Sequence, residues 1–191
     1  MLFDAPETIS IDDFFKGYLL KRVQNIIKTT DLSWLANKEF TTNYVVEGDK
    51  YGIKVSNGEN VQIVAGGFPG AMVSISMTKK FWRDMATGKL ETGLEGYMVP
   101  GGEAEDKDRF GSLQNLKGCL KVDIDNDGDM ETVMIVLNNT NPDKPDAEIT
   151  VKLEDWLELR RKNTDGPTLV MQGKMQFDGD LTFLLAAQEM L

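Results

Sequence analysis

Met171-Gln172-Gly173-Lys174-Met175-Gln176-Phe177-Asp178-Gly179-Asp180 runs on into Leu181-Thr182-Phe183-Leu184-Leu185-Ala186-Ala187-Gln188-Glu189-Met190-Leu191. The first part reads as a short strand ending in an Asp-Gly turn. The second part is apolar almost all round, and a water-soluble chain buries such a helix. What buries it decides the function: the chain's own core, or an apolar ligand.

The totals set the frame. With 191 residues, 41% of them hydrophobic and 27% charged, the chain suits one domain or two small ones with a full core. No apolar run reaches the roughly 18 residues of a membrane span, so stable membrane insertion is not expected. The N-terminus lacks a basic region before an apolar core, so no secretory signal is expected. Glu189-Met190-Leu191 is not a peroxisomal address of the Ser-Lys-Leu type. The lone Cys119 can form no internal disulfide, which fits a reducing, cytoplasmic setting. A net charge of -10 argues against nucleic acid and against wide contact with an anionic membrane, because phosphate binding needs clustered cations. The absence of histidine excludes Ser-His-Asp and Cys-His nucleophilic sites and histidine metal sites. General acid–base work would fall to Asp, Glu, Lys or Tyr.

Upstream of the closing stretch, the periodicity is clear. From Ile11 to Thr29, Ile11, Phe14, Phe15, Tyr18, Leu19, Val23, Ile26 and Ile27 recur at three/four spacing, which predicts an amphipathic helix. Ser10 and Asp13 form a capping-box-like start. Strands are expected over 40–46, 51–55, 61–65 and 71–77, with a type I′ hairpin turn at Asn57-Gly58. Thr78 caps a short helix carrying Phe81, Trp82 and Met85. Gly66-Gly67-Phe68-Pro69-Gly70 lacks the Lys-Ser/Thr of a phosphate loop and is read as a plain loop. Residues 91–112 turn polar and mark an internal boundary, with a weak helix over 106–116. Strands follow over 118–124, 131–137 and 147–151, then a helix over 153–161 with Trp156 inward. Asp165-Gly166-Pro167 reads as a break.

The two halves repeat one another. Tyr51–Met85 and Leu120–Leu159 each run strand, turn, strand, loop, strand, helix. Ser74-Ile75-Ser76-Met77 lies on Glu148-Ile149-Thr150-Val151, and Trp82 falls on Trp156 without a gap. The apolar ending has no such match: its place in the first half is the polar stretch near 95–112. If the unit is duplicated, the first copy has lost its closing strand and helix.

Gly173-Lys174-x-x-x-x-Gly179-Asp180 followed by an apolar helix resembles the end of the sterol carrier protein 2 family. The upstream hairpin, the 147–151 strand, the helix and the proline agree in order, so residues 118–191 cover most of that pattern. Ser74–Met77 with Thr87-Gly88-Lys89 resembles it in the first half. The resemblance implies an α/β (α+β) fold with a five-stranded, mainly antiparallel sheet covered by helices, in a unit that is then duplicated. It divides the chain into a lead-in over 1–10 and two halves over 11–105 and 106–191, which together could form one enlarged domain. It further implies an apolar tunnel for a sterol, fatty acid or acyl chain, bordered by the C-terminal helix. Mapped onto this chain, the ligand-binding candidates are Trp156, Leu159, Met171, Met175, Phe177, Phe183 and Leu184. Flexible thioethers suit ligands of varied shape.

Other constellations weigh less. Asp123-x-Asp125-x-Asp127-Gly128 opens like a calcium loop, but the twelfth position is Met134 where a bidentate Glu is needed; an Asp-Gly hairpin turn explains the same residues. Cys119 sits in a strand with no histidine to activate it. Asp178, Asp180 and Glu189 read as turn and helix start. The expectation is a non-enzymatic carrier of a hydrophobic small molecule, without metal or cofactor. Its rivals are an interaction domain whose apolar end is buried against another chain or a second copy, and a calcium-stabilised acidic module.

Overall fold

The amphipathic pattern of residues 11–29 becomes one continuous helical segment with an unusual middle. A computed structural model of the chain describes residues 3–90, 92, 94, 104–138, 140–141 and 143–188. Ile11–Asp13 (α1) opens on Ser10, whose hydroxyl accepts from the Asp13 N–H at 3.0 Å and donates to the Asp13 carboxylate at 2.7 Å. Phe14–Leu19 is π-helical, and Leu20–Thr29 (α2) completes the segment. Phe14 and Phe15 are neighbours, which a regular α-helix would splay by roughly 100°. Both are nonetheless fully buried. Phe14 meets Trp82 edge-on at 5.5 Å, and Phe15 stacks on Tyr51 at 4.5 Å.

Glu39–Val46 (β1) pairs antiparallel with Asp49–Ser56 (β2) across Glu47-Gly48, and both turn residues have positive φ, as a type I′ turn requires. Asn60–Ala65 (β3) pairs with β2 from Ser56 opposite Asn60. Glu59 thus lengthens the two-residue turn expected at Asn57-Gly58. Val73–Met77 (β4) lies parallel to β1. Thr78 then caps Lys79–Ala86 (α3) by accepting from the Phe81 N–H at 3.1 Å. The second half runs Ala104–Asn115 (α4), Gly118–Asn126 (β5), Asp129–Leu137 (β6), Ala147–Lys152 (β7), Leu153–Arg160 (α5), Gly166–Met171 (α6), Met175–Gly179 (β8) and Leu181–Gln188 (α7). The weak helix expected near 106–116 is α4. Most of the polar boundary stretch before it lies outside the described residues.

The expected five-stranded, mainly antiparallel sheet is corrected by the pairing. There is one eight-stranded mixed sheet, in the order β3-β2-β1-β4-β6-β5-β7-β8. Its parallel pairs are β1–β4 and β5–β7. The physical reason is the antiparallel β4–β6 ladder, which sets Ile75 opposite Ile135 and fuses the strands of both halves. The run β2-β1-β4 recurs as β6-β5-β7, antiparallel and then parallel. Pairing therefore lays β1 on β5 and β2 on β6, one strand earlier than the sequence match did, and leaves β3 without a counterpart. β6 stands beside β4 as β8 stands beside β7. The first half thus borrows its closing strand from the second.

One polar cluster clamps this junction. Glu131 of β6 is 6% exposed. It accepts from the Thr78 hydroxyl and from Lys80 Nζ at 3.2 Å, while Lys80 also reaches Asp129 at 2.6 Å. Glu131→Ala leaves the Thr78 hydroxyl without its acceptor, and we expect a loss of about 1–3 kcal/mol in urea denaturation. Lys80 is half-exposed and its ion pairs are screened by solvent, so Lys80→Ala should cost less.

The inward faces of the strands, among them Tyr44, Ile53, Ile75, Leu120, Val122, Ile135 and Ile149, join the helices in a single core cluster. The opposite face is polar and partly wet: Lys121 bridges Asp123 at 3.0 Å and Glu148 at 3.1 Å. Cys119 lies on this face, yet is fully buried. Burial, with the Asp146 and Glu148 charges behind it, pushes its thiol up to about 11 from the ordinary 9.0. The folded chain therefore holds the thiol proton after the unfolded chain has released it. Its contribution to stability is intact below pH 9 and falls as pH climbs from about 9 towards 11. Iodoacetamide at pH 8 should leave the folded protein unmodified and alkylate one thiol in urea, as intact mass will show.

Candidate functional site

The closing stretch is pinned by backbone geometry. β8 is an edge strand on β7, with Met175 opposite Val151 and Phe177 opposite Ile149. Strand alternation turns Met175 and Phe177 inward and leaves Gln176 and Asp178 exposed. A Cβ on Gly179 would come within 2.3 Å of the Asp146 carbonyl, so the chain passes there only as glycine. Asp180 follows. Its N–H donates to that carbonyl at 2.8 Å, and its carboxylate accepts from the N–H groups of Thr182 and Phe183 at 2.8 and 3.1 Å. This is an N-cap, and it starts α7. The Phe183 ring then packs on the bare backbone of Gly118, where an added Cβ would lie 2.2 Å away. On the other side, Lys174 Nζ reaches the buried Asp155 carboxylate of α5 at 2.9 Å and ties the turn before β8 to that helix. The hydrogen bond and charge of Asp155 hold the Lys174 ammonium above its ordinary pKa.

Helix α6 was not expected, because Asp165-Gly166-Pro167 reads as a break. Asp165 caps it instead, accepting from the Thr168 N–H at 2.8 Å, and proline is well suited to a first helical turn.

Between α5, α6, β8 and α7 lies a cavity of about 320 Å³ over Ile149 of β7. Leu159, Pro167, Val170, Met171, Met175, Phe177, Leu181, Leu184 and Leu185 line it, together with Gly166. Every lining side chain is apolar. Of the residues singled out from sequence, Leu159, Met171, Met175, Phe177 and Leu184 meet here. Trp156 and Phe183 do not: Trp156 is fully buried, donating through Nε1 to the Thr92 carbonyl at 3.1 Å, and Phe183 covers Gly118. Sequence reasoning missed Ile149, Pro167, Val170, Leu181 and Leu185. The helical spacing of Leu181, Leu184 and Leu185 was a usable signal for two of them.

The first half is filled at the matching place. The counterparts of Ile149 and Leu159 in the gapless match are Ile75 and Met85, and both are fully buried in the core. A larger groove of mixed lining, about 560 Å³, lies at the β5–β6 turn, among Asp125, Asn126, Asp127, Gly128, Lys152, Leu153, Glu154 and Leu157. Its acids serve the turn: Asp127 and Gly128 have positive φ, and Asp125 accepts from the Gly128 N–H at 2.7 Å. Among the described residues, no three Asp, Glu or Cys side chains converge to hold a metal ion. The smaller cavity is the candidate site, because all of its lining side chains belong to one chemistry.

The edge strand β8 and the helix α7 thus border an open apolar cavity at one end of the mixed sheet. Residues 102–191 match the SCP-2 sterol transfer family, as the resemblance of the closing stretch implied. Similar solved structures include sterol carrier protein-2 like-3 from Aedes aegypti, at 21% identity and a TM-score of 0.35, covering 44% of this chain and 89% of that one. Sterol carrier protein 2 from Yarrowia lipolytica, in its apo form, gives 18% identity and a TM-score of 0.35, covering 42% and 76%. The stereoselective inverting sec-alkylsulfatase Pisa1 from Pseudomonas sp. covers 96% of this chain at 14% identity and a TM-score of 0.29, but only 16% of its own length. No curated protein matches the chain. Among the described residues, no helix is long and apolar enough to cross a membrane.

Proposed function

We propose that this protein is a non-enzymatic carrier that binds a lipid or other hydrophobic ligand, such as a sterol, fatty acid or acyl chain, in the cavity under α7. The observation that carries the reading is the wholly apolar lining of that cavity. The match of residues 102–191 to the SCP-2 sterol transfer family supports it. Leu159, Met171, Met175, Phe177 and Leu184 are the proposed ligand contacts. No lining side chain can take or give a proton, which supports binding without chemistry. The volume of about 320 Å³ is near the low end of the roughly 300–1,000 Å³ usual for ligand sites. One acyl chain suits it better than a whole sterol, and a polar head would remain at the mouth.

Displacement of a fluorescent fatty acid by saturated acids of increasing length tests this. Each methylene withdrawn from water contributes about 0.8 kcal/mol. Two more methylenes should thus tighten binding about fifteenfold, until the chain outgrows the cavity and the gain stops. Absence of saturable binding, or affinity indifferent to chain length, would overturn the reading.

A further inference from the structure

The sheet ends in two edges, β3 and β8, and they are built differently. β8 follows Lys174 and carries the exposed Asp178, charges of the kind that keep an edge from pairing. β3 is Asn60-Val61-Gln62-Ile63-Val64-Ala65, with no charge and no proline. Its ladder with β2 fixes which way its backbone points. Gly66 N–H donates to the Lys50 carbonyl at 2.8 Å. By alternation, Asn60, Gln62 and Val64 turn their N–H and C=O groups to β2, and Val61, Ile63 and Ala65 turn theirs outward. Among the described residues these outward groups meet no backbone partner. We propose that this edge pairs with the same edge of a second copy of the chain, antiparallel about a two-fold axis at Ile63, so that two sheets become one.

A second copy fits better than a foreign strand because the edge complements itself, as a two-fold interface requires. In this register Ile63 faces Ile63 and Val61 faces Ala65, so every outward N–H and C=O of the strand finds a partner. β-Branched side chains meet across the join. The register also sets Glu59 opposite Gly67 of the copy. Lys50 stands at that place, its Cε 2.5 Å from where a Gly67 Cβ would lie. Glu59 and Lys50 are both exposed, and neither has an ionic partner among the described residues. The two-fold axis would join them twice. Asp49 borders the same end, but strand alternation places it on the face opposite Lys50. The other charges nearby are Lys54, held by Glu39 at 3.4 Å, and Lys21 and Lys28, exposed on α2 beneath β3. The border of this edge is therefore richer in cations than a chain of net charge -10, and two such chains repel one another least where acids are sparse. The proposal is independent of the carrier reading, because β3 lies at the far end of the sheet from β8 and the cavity.

Sedimentation velocity of the full chain over a wide range of concentration tests this. Wild type should move from the mass of one chain to twice that mass and stop there. Ala65→Pro removes an exposed side chain and an N–H that points away from β2, so the β2–β3 ladder keeps its bonds. It should stay at the mass of one chain, with the circular dichroism of wild type and undiminished fatty-acid binding. Lys50→Glu and Glu59→Lys should each weaken the dimer, and the two changes together should restore it, because the charges then meet with their signs exchanged. Restoration by the double variant also shows that neither single variant failed by misfolding. A wild type that keeps the mass of one chain at every concentration would overturn the proposal. So would growth beyond twice that mass, a dimer indifferent to Ala65→Pro, or a double variant no better than the single ones.

Discussion

Trp156→Ala is expected to lower the folding free energy by about 3–5 kcal/mol, the range for emptying a large aromatic from a core. The ring is fully buried on α5, and its Nε1 donates at 3.1 Å to the carbonyl of the buried Thr92. Truncation leaves a void and removes that hydrogen bond together. Its counterpart Trp82 is just as buried, but its Nε1 has no acceptor among the described residues. The conservative changes should therefore diverge. Trp156→Phe should cost about 0.5–1.5 kcal/mol more than Trp82→Phe, because it alone removes a buried hydrogen bond. Urea denaturation of the four proteins, wild type included, measures this. Equal costs for the two Phe variants would show that the hydrogen bond to Thr92 contributes nothing.

Leu184→Trp is expected to weaken ligand binding strongly while the fold survives. Leu184 sits on α7, half-buried, with its side chain on the cavity. An indole there occupies the space an acyl chain would take. Displacement titration should show affinity weakened at least about tenfold, or some 1.4 kcal/mol. Overpacking of a poorly filled site should cost less stability than the 1–3 kcal/mol or so seen in tight cores. Leu184→Trp that binds as wild type would move the ligand elsewhere.

Much of this architecture was written locally, and what was not is non-local. Alternation and turn chemistry marked the strands, since inward residues such as Val73, Ile75 and Met77 recur at period two. Sheet order is different. The β4–β6 ladder joins residues some sixty positions apart, and no periodicity encodes which edge finds which. Hence the five-stranded, mainly antiparallel sheet that the resemblance implies gives way to eight strands in one mixed sheet. In the site, Met175, Phe177 and Leu184 were legible because they sit in the stretch whose apolar character demanded an explanation. Trp156 entered the candidates through the resemblance, but its indole N–H donates to the Thr92 backbone. Val170 and Pro167 were hidden because Asp165-Gly166-Pro167 serves equally as a break and as a helix start, and only the Asp165 cap on Thr168 decides between them.

The central claim, that an apolar ligand occupies the space under α7, is most directly tested by methyl NMR. Protein carrying carbon-13 methyl methionine would be titrated with decanoate. The account predicts intermolecular cross-peaks from the decanoate chain to the methyl groups of Met171 and Met175, which line the cavity. None should appear to Met77 or Met85, which are packed into the first-half core. Cross-peaks to Met77 and Met85, or a spectrum indifferent to decanoate, would contradict it.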